Sequence, residues 1–205
     1  MNILKVTTFL LTLFFAASAA AQDAKTILFF GDSITAGYGI DEEDAFPAQI
    51  QRKIDEKGLS YRVVNAGLSG ETSAGGLRRV DWILQQHIDL FVLGLGGNDG
   101  LRGINPESTK ENLAGIMDKV AEKYPDAIII LTGMEAPPNM GSDYTERFRQ
   151  IYTELYEKYE VVFMPFILEG VAGDPDLNLA DGIHPTEEGH EILAENLWNY
   201  LLPVL

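Results

Sequence analysis

Three residues near opposite ends of the chain have the types that nucleophilic catalysis needs. Ser33 lies in Gly31-Asp32-Ser33-Ile34-Thr35, and Asp181 and His184 lie in Asp181-Gly182-Ile183-His184-Pro185. A serine hydroxyl attacks an acyl carbon efficiently only when a neighbouring base takes its proton, and imidazole is such a base when a carboxylate fixes its tautomer. Asp181, three residues ahead of His184 in a turn, can reach the Nδ1–H and leave Nε2 as the base. Pro185 suits the first position of a helix, which would leave His184 in the preceding loop. Of the other two histidines, His87 ends a polar helical pattern and reads as a surface or capping residue, while His190 lies inside the last helix and reads as structural. Each motif alone has a plainer reading: Gly-Asp-Ser is also an ordinary turn with an N-cap, and Asp-x-x-His is also local capping.

Acyl transfer also needs donors where the carbonyl oxygen becomes an oxyanion. Two glycine-rich stretches could supply them. In Asn65-Ala66-Gly67-Leu68-Ser69-Gly70-Glu71-Thr72, Gly70 could present its N–H with no side chain in the way, although a glycine turn explains the same residues. In Gly94-Leu95-Gly96-Gly97-Asn98-Asp99-Gly100, glycines such as Gly97 bracket Asn98 and let the backbone approach closely, leaving the carboxamide as a projecting donor. Beyond these, Met134, Pro138 and Met140 in Gly133-Met134-Glu135-Ala136-Pro137-Pro138-Asn139-Met140-Gly141, together with Ile183, are candidate substrate contacts, the methionines as adaptable apolar surface.

Extended apolar runs alternate with helical patterns. Strands are expected at 26–30, 61–64, 90–93, 127–131 and 161–163, and helices at about 45–57, 77–87, 108–124, 145–159 and 186–202. Five strands alternating with helices imply parallel pairing through right-handed crossovers, and hence one α/β domain: a three-layer α/β/α sandwich around a five-stranded parallel sheet. Ligands of such sheets gather outside the carboxyl ends of the strands. Ser33, Gly70 and Asn98 follow the first, second and third strands, so the weak signals fall where a single cleft requires them.

On these blocks the chain resembles the GDSL, or SGNH, hydrolases. Gly31-Asp32-Ser33, Gly70, Gly96-Gly97-Asn98-Asp99 and Asp181-x-x-His184 match the family's four blocks in order, over essentially the whole chain after its first residues. Gly97-Asn98-Asp99-Gly100-Leu101-Arg102-Gly103 and Ser69-Gly70-Glu71-Thr72-Ser73 are near matches to a subgroup of bacterial exported esterases known as thioesterase I, lysophospholipase L1 or arylesterase. The resemblance implies a flavodoxin-like sheet and an oxyanion hole made by the Ser33 N–H, the Gly70 N–H and the Asn98 side chain. The chain departs from the thioesterase members after strand four, where they carry a mobile loop over the acyl groove. Here Pro137-Pro138 should stiffen that segment, which looks more like the arylesterase branch.

The chain has 205 residues, 46% of them hydrophobic and 10% aromatic, as a packed globule requires. Its 15 Lys and Arg against 31 Asp and Glu give a net charge of -16, which repels nucleic acid, anionic bilayers and a polyanionic leaving group such as coenzyme A. Lys5, an apolar stretch from Val6 to Phe15 and small residues from Ala16 to Ala21 read as a secretory signal peptide over 1–21, cleaved after Ala19 or Ala21, with the hydrolase domain over 22–205. The apolar run is too short to span a bilayer, so export to the periplasm or beyond is expected, without stable membrane insertion. With no cysteine, neither a disulfide nor a lipid-anchored cysteine is possible. No cofactor or metal is expected: His190-Glu191 lacks a second histidine at zinc-protease spacing, Asp174 to Leu179 only begins like a calcium loop, and no Walker-type loop follows strand one. The expected partner is a small acyl ester or lipid substrate, and a monomer is favoured. The rival readings are a carbohydrate O-deacetylase, with Tyr38, Tyr144 and Trp82 as unplaced aromatics, and a non-catalytic lipid-binding protein.

Overall fold

The computed structural model describes residues 24–205, so the signal-peptide segment lies outside the described residues. The sheet has five parallel strands: β1 (Lys25–Gly31), β2 (Tyr61–Asn65), β3 (Leu90–Gly94), β4 (Ile128–Thr132) and β5 (Val162–Met164), in the spatial order β2-β1-β3-β4-β5. Ile27, Leu28, Phe29 and Phe30 of β1 are all buried, because this strand is flanked by β2 and β3 and covered on both faces. The edge strand β2 is only partly buried.

Helix α1 (Ser33–Ala36) follows β1 directly, and α2 (Phe46–Glu56) carries the chain to β2. Between β2 and β3 runs α3 (Ser73–Ile83). The short α4 (Gly97–Leu101) and the long α5 (Pro106–Lys123) lie between β3 and β4. Then come α6 (Ser142–Lys158) and, after β5, α7 (Glu187–Leu201). Helices α2 and α7 pack together on one face, and α3, α5 and α6 pack in succession on the other, which makes the three layers. The chain leaves β1 in one direction to reach β2 and in the other to reach β3. That reversal opens a crevice at the carboxyl ends of β1 and β3, where ligands of open α/β sheets bind.

Three expectations need correction. The helix expected over 77–87 runs from Ser73 to Ile83. Thr72 caps it by accepting from the Gly75 N–H, and Gly76 lies inside it, where a Cβ would lie 2.4 Å from Leu95 Cδ1; the glycine lets the helix press against the sheet. His87 therefore lies beyond the helix, 3.3 Å from Asp89 Oδ1. Pro185 is not the first residue of α7. Thr186 is the N-cap, accepting from the Gly189 N–H, and Pro185 instead pairs across an isolated antiparallel bridge with Asn178. Finally, sequence periodicity misses α1 and α4, each too short to show a period.

Candidate active site

Ser33 is the first residue of α1, and its position is set by its neighbours. A Cβ on Gly31 would lie 2.0 Å from Thr35 Oγ1 and 2.7 Å from the Gly94 carbonyl, so only glycine allows the chain to turn here against β3. Asp32 caps the helix, its Oδ1 accepting the Ile34 N–H at 3.0 Å, and Gly37 closes it in a left-handed conformation at φ 73°. The hydroxyl of Ser33 meets His184 Nε2 at 2.9 Å, across 151 residues of sequence.

His184 sits on a small hairpin-like loop. Leu179 N–H donates to the His184 carbonyl at 2.7 Å and Thr186 N–H to the Leu177 carbonyl at 2.9 Å. The Gly182 N–H closes the turn onto the Leu179 carbonyl at 2.8 Å. Asn178 ties this loop down through its side-chain amide, which donates to the Val171 and Asp174 carbonyls, both at 2.7 Å. At the tip, Asp181 Oδ2 faces His184 Nδ1 at 2.6 Å, while Oδ1 accepts the backbone N–H groups of Ile183 and His184 at 2.9 and 3.0 Å. These hydrogen bonds, the one to the imidazole first, hold the Asp181 carboxyl down at about 2. It therefore stays ionised and acceptor-only, which puts the imidazole proton on Nδ1 and leaves Nε2 to accept from Ser33.

Gly70 closes a turn over Leu68 to Glu71, with the Glu71 N–H donating to the Leu68 carbonyl at 3.1 Å and Gly70 at φ 78°, a backbone that favours glycine. Neither the Ser33 N–H nor the Gly70 N–H finds an acceptor among the described residues. Asn98, in α4, donates one carboxamide hydrogen to the Glu71 carbonyl at 3.1 Å and so bridges the second and third blocks. The second hydrogen of that amide remains for another acceptor.

The other predicted contacts are less uniform. Gly97 lies beside Asp32, whose Oδ2 would be 3.0 Å from a Cβ at that position. Met134 is buried at 6% exposure with its methyl group under Gly97, so it floors the site instead of offering open surface. Pro138 is exposed on a 3-10 turn, and Met140 lies near Gly103; neither is brought against Ser33 or His184. Ile183 is 39% exposed beside His184.

Several residues of consequence escape sequence reasoning. The Tyr38 ring, half exposed, packs 4.5 Å from the His184 ring. Tyr144, by contrast, is structural, donating to the Ile104 carbonyl at 2.8 Å, and Trp82 sits near the C-terminal end of α3, which leads to the amino-terminal end of the central strand β3, away from the carboxyl ends that hold the site. Asp99 is fully buried and accepts from Ser73 N–H (2.8 Å), Ser73 Oγ (2.5 Å) and Thr109 Oγ1 (3.1 Å), fastening α4 to the starts of α3 and α5. Its place beside Asn98 in a glycine-rich run is the one signal that could have found it. Among the described residues no group of three His, Cys, Asp or Glu could hold a metal ion.

Two buried titrating groups near the site have opposite effects on acid stability. Burial raises the Asp32 carboxyl from 3.8 to about 6. His190, fully buried in α7, accepts the Phe46 N–H on Nδ1 at 3.2 Å and has no partner for Nε2 among the described residues, and burial lowers its imidazole from 6.5 to about 4. As pH falls from 6.5 to 4, the unfolded chain protonates its His190 and the folded chain does not, so stability is lost, by up to about 3 kcal/mol. As pH falls from 6 to 3.8, folded Asp32 takes up its proton before the unfolded chain does, so stability is gained by a similar amount. The two largely offset each other between pH 4 and 6. Asp32→Asn should unmask the His190 effect, its urea midpoint dropping between pH 6.5 and 4.5 by more than the wild-type midpoint does. Equal drops would mean that Asp32 takes up no proton on folding.

Residues 29–192 match the model of the GDSL-like lipase/acylhydrolase family. The chain is 42% identical over 183 residues to the esterase TesA of Pseudomonas aeruginosa, covering 89% of this chain and 90% of that protein. It is 38% identical over 198 residues to thioesterase 1/protease 1/lysophospholipase L1 of Escherichia coli K12, covering 96% and 91%. A crystal structure of TesA superposes with a TM-score of 0.84 at 41% identity, over 88% of this chain and all of the other.

Proposed function

The chain belongs to the GDSL-like lipase/acylhydrolase family and is a serine ester hydrolase, and on that premise we propose that Ser33 is its nucleophile, His184 its base and Asp181 the group that orients the base. The observation that carries this assignment is the unbroken chain from Ser33 Oγ to His184 Nε2 at 2.9 Å and from His184 Nδ1 to Asp181 Oδ2 at 2.6 Å. His184 takes the Ser33 proton as the hydroxyl oxygen bonds to the acyl carbon. The Ser33 N–H, the Gly70 N–H and the free Asn98 hydrogen receive the oxyanion. Collapse of that intermediate breaks the bond to the leaving alcohol, which takes its proton from His184. Water then releases the acid from the acyl-enzyme by the same sequence, regenerating Ser33.

The substrate class follows from the rim of the site. Tyr38 against the imidazole, exposed Ile183 beside it and the apolar floor at Met134 suit aryl and alkyl esters and single-chain lysophospholipids. Of the three aromatics considered for a sugar platform, only Tyr38 lies against the site, which supports the acyl-ester reading over carbohydrate deacetylation. The net charge of -16 disfavours coenzyme A as a leaving group. Residues 1–21 act as an export signal in this reading, and the enzyme works outside the cytoplasm. A panel of 4-nitrophenyl butyrate, 1-acyl lysophosphatidylcholine, palmitoyl-CoA and a peracetylated sugar tests it. The first two should be turned over with the higher kcat/KM values; preference for the sugar ester would replace this reading with deacetylation.

A further inference from the structure

Asn98 can act as an oxyanion donor only if its carboxamide is held the right way round, and the structure shows what holds it. Arg102 is the C-cap of α4, one helical turn beyond Asn98. Its Nη2 donates to the Gly70 carbonyl at 3.2 Å and to Asn98 Oδ1 at 3.5 Å, so one guanidinium nitrogen touches two of the three residues that carry proposed oxyanion donors. The same loop is also held by Arg79. That guanidinium donates from Nη2 to the Ala66 carbonyl at 2.9 Å, pairs with buried Glu71 from Nε at 2.9 Å, and lies over the Phe30 ring at 4.4 Å. Glu71 in turn offers its backbone carbonyl to Asn98 Nδ2 at 3.1 Å.

The two arginines differ in kind. Arg79 is packed against an aromatic ring and committed to a buried carboxylate, the arrangement of a structural strut. Arg102 is exposed and, among the described residues, pairs with no carboxylate, although the chain carries 31 acidic residues. Both of its hydrogen bonds instead go to neutral oxygens, those of Gly70 and Asn98. A guanidinium has no acceptor, so the group it contacts on Asn98 must be the amide oxygen. The amide nitrogen is thereby directed to the Glu71 carbonyl, with its second hydrogen left for substrate.

We propose that Arg102 is a positioning residue for the oxyanion hole: it fixes the orientation of the Asn98 carboxamide and locks the Gly70 turn, without touching the reacting atoms. The inference rests on the oxyanion reading above, and the test separates the two. Steady-state kinetics on 4-nitrophenyl butyrate would compare wild type, Arg102→Met, Arg102→Lys, Asn98→Ala and the Asn98→Ala/Arg102→Met double variant, with melting temperatures alongside. Losing an oxyanion donor lowers kcat by about 10²–10³-fold, which sets the expectation for Asn98→Ala. Arg102→Met, which loosens that donor without removing it, should lower kcat by about tenfold with KM nearly unchanged. Arg102→Lys should recover most of that loss, since one ammonium can serve both oxygens. In the Asn98→Ala background Arg102→Met should cost no more than about threefold, because its main target is gone.

An Arg102→Met variant with kcat within twofold of wild type, a loss confined to KM, or a tenfold loss that persists undiminished in the Asn98→Ala background would overturn the inference. It is overturned equally if Arg102→Met melts early and its loss of activity tracks the loss of fold. If Asn98→Ala itself keeps wild-type kcat, the oxyanion reading fails first, and the role of Arg102 fails with it.

Discussion

Replacing Ser33 with alanine is expected to lower kcat by about 10⁴–10⁶-fold, the range seen when a serine nucleophile is removed from a triad whose members act as a unit. The fold should survive the change. Among the described residues the only side-chain partner of the Ser33 hydroxyl is His184 Nε2, and the turn that carries it is held by Asp32, Gly31 and Gly37, none of which needs the Oγ atom. A melting temperature within a few degrees of wild type, with hydrolysis of 4-nitrophenyl butyrate near the uncatalysed rate, is the expected pair of results. Retention of more than a few per cent of wild-type kcat would remove Ser33 from the mechanism.

The second large effect is expected from Asp181→Asn, about 10⁴-fold in kcat. The reason lies in how the carboxylate is shared. Oδ1 accepts two backbone N–H groups, from Ile183 and His184, while Oδ2 accepts from the imidazole. An asparagine has one oxygen, and the two backbone donors claim it, so its amide nitrogen is forced against Nδ1. The ring must then accept on Nδ1 and carry its proton on Nε2, the wrong tautomer for taking a proton from Ser33. Asp181→Ala leaves Nδ1 to water and imposes no tautomer, so it should lose less activity than Asp181→Asn although it removes more atoms. The reverse order would refute the tautomer argument. Because the wild-type carboxyl is held down at about 2, Asp181 stays ionised throughout the range in which the enzyme is assayed. The acid side of the pH–rate profile should therefore carry no ionisation from Asp181 above about pH 3.

Much of this arrangement is legible in the residues alone. The strands can be read from runs such as Thr26 to Phe30 and Ala127 to Leu131, because a strand covered on both faces is apolar throughout. Parallel topology then places the residues following β1, β2 and β3 at one end of the sheet. Legibility fails where tertiary contact overrides local habit. Gly75 and Gly76 look like a loop, yet both are helical, and at Gly76 the missing side chain lets α3 approach Leu95 closely. Pro185 looks like a helix start, but the Asn178 bridge takes it for the hairpin-like loop that presents His184. Arg102 and Arg79 look like solvated surface, and only their carbonyl partners across the fold, Gly70 and Ala66, reveal what they hold. Asp32 reads as part of a turn, whereas its burial beside Gly97 and the raised carboxyl that results require knowledge of how α1, α4 and β1 converge.

The pairing of Ser33 with His184 across 151 residues is the claim on which everything else depends. Its most direct measurement is intact-mass and peptide-level mass spectrometry of the protein after brief treatment with a fluorophosphonate, run beside Ser33→Ala and His184→Ala. A single adduct confined to the peptide containing Ser33, absent from Ser33→Ala and formed far more slowly in His184→Ala, is the predicted result. An adduct on another residue, or labelling of Ser33 at an unchanged rate without His184, would contradict it.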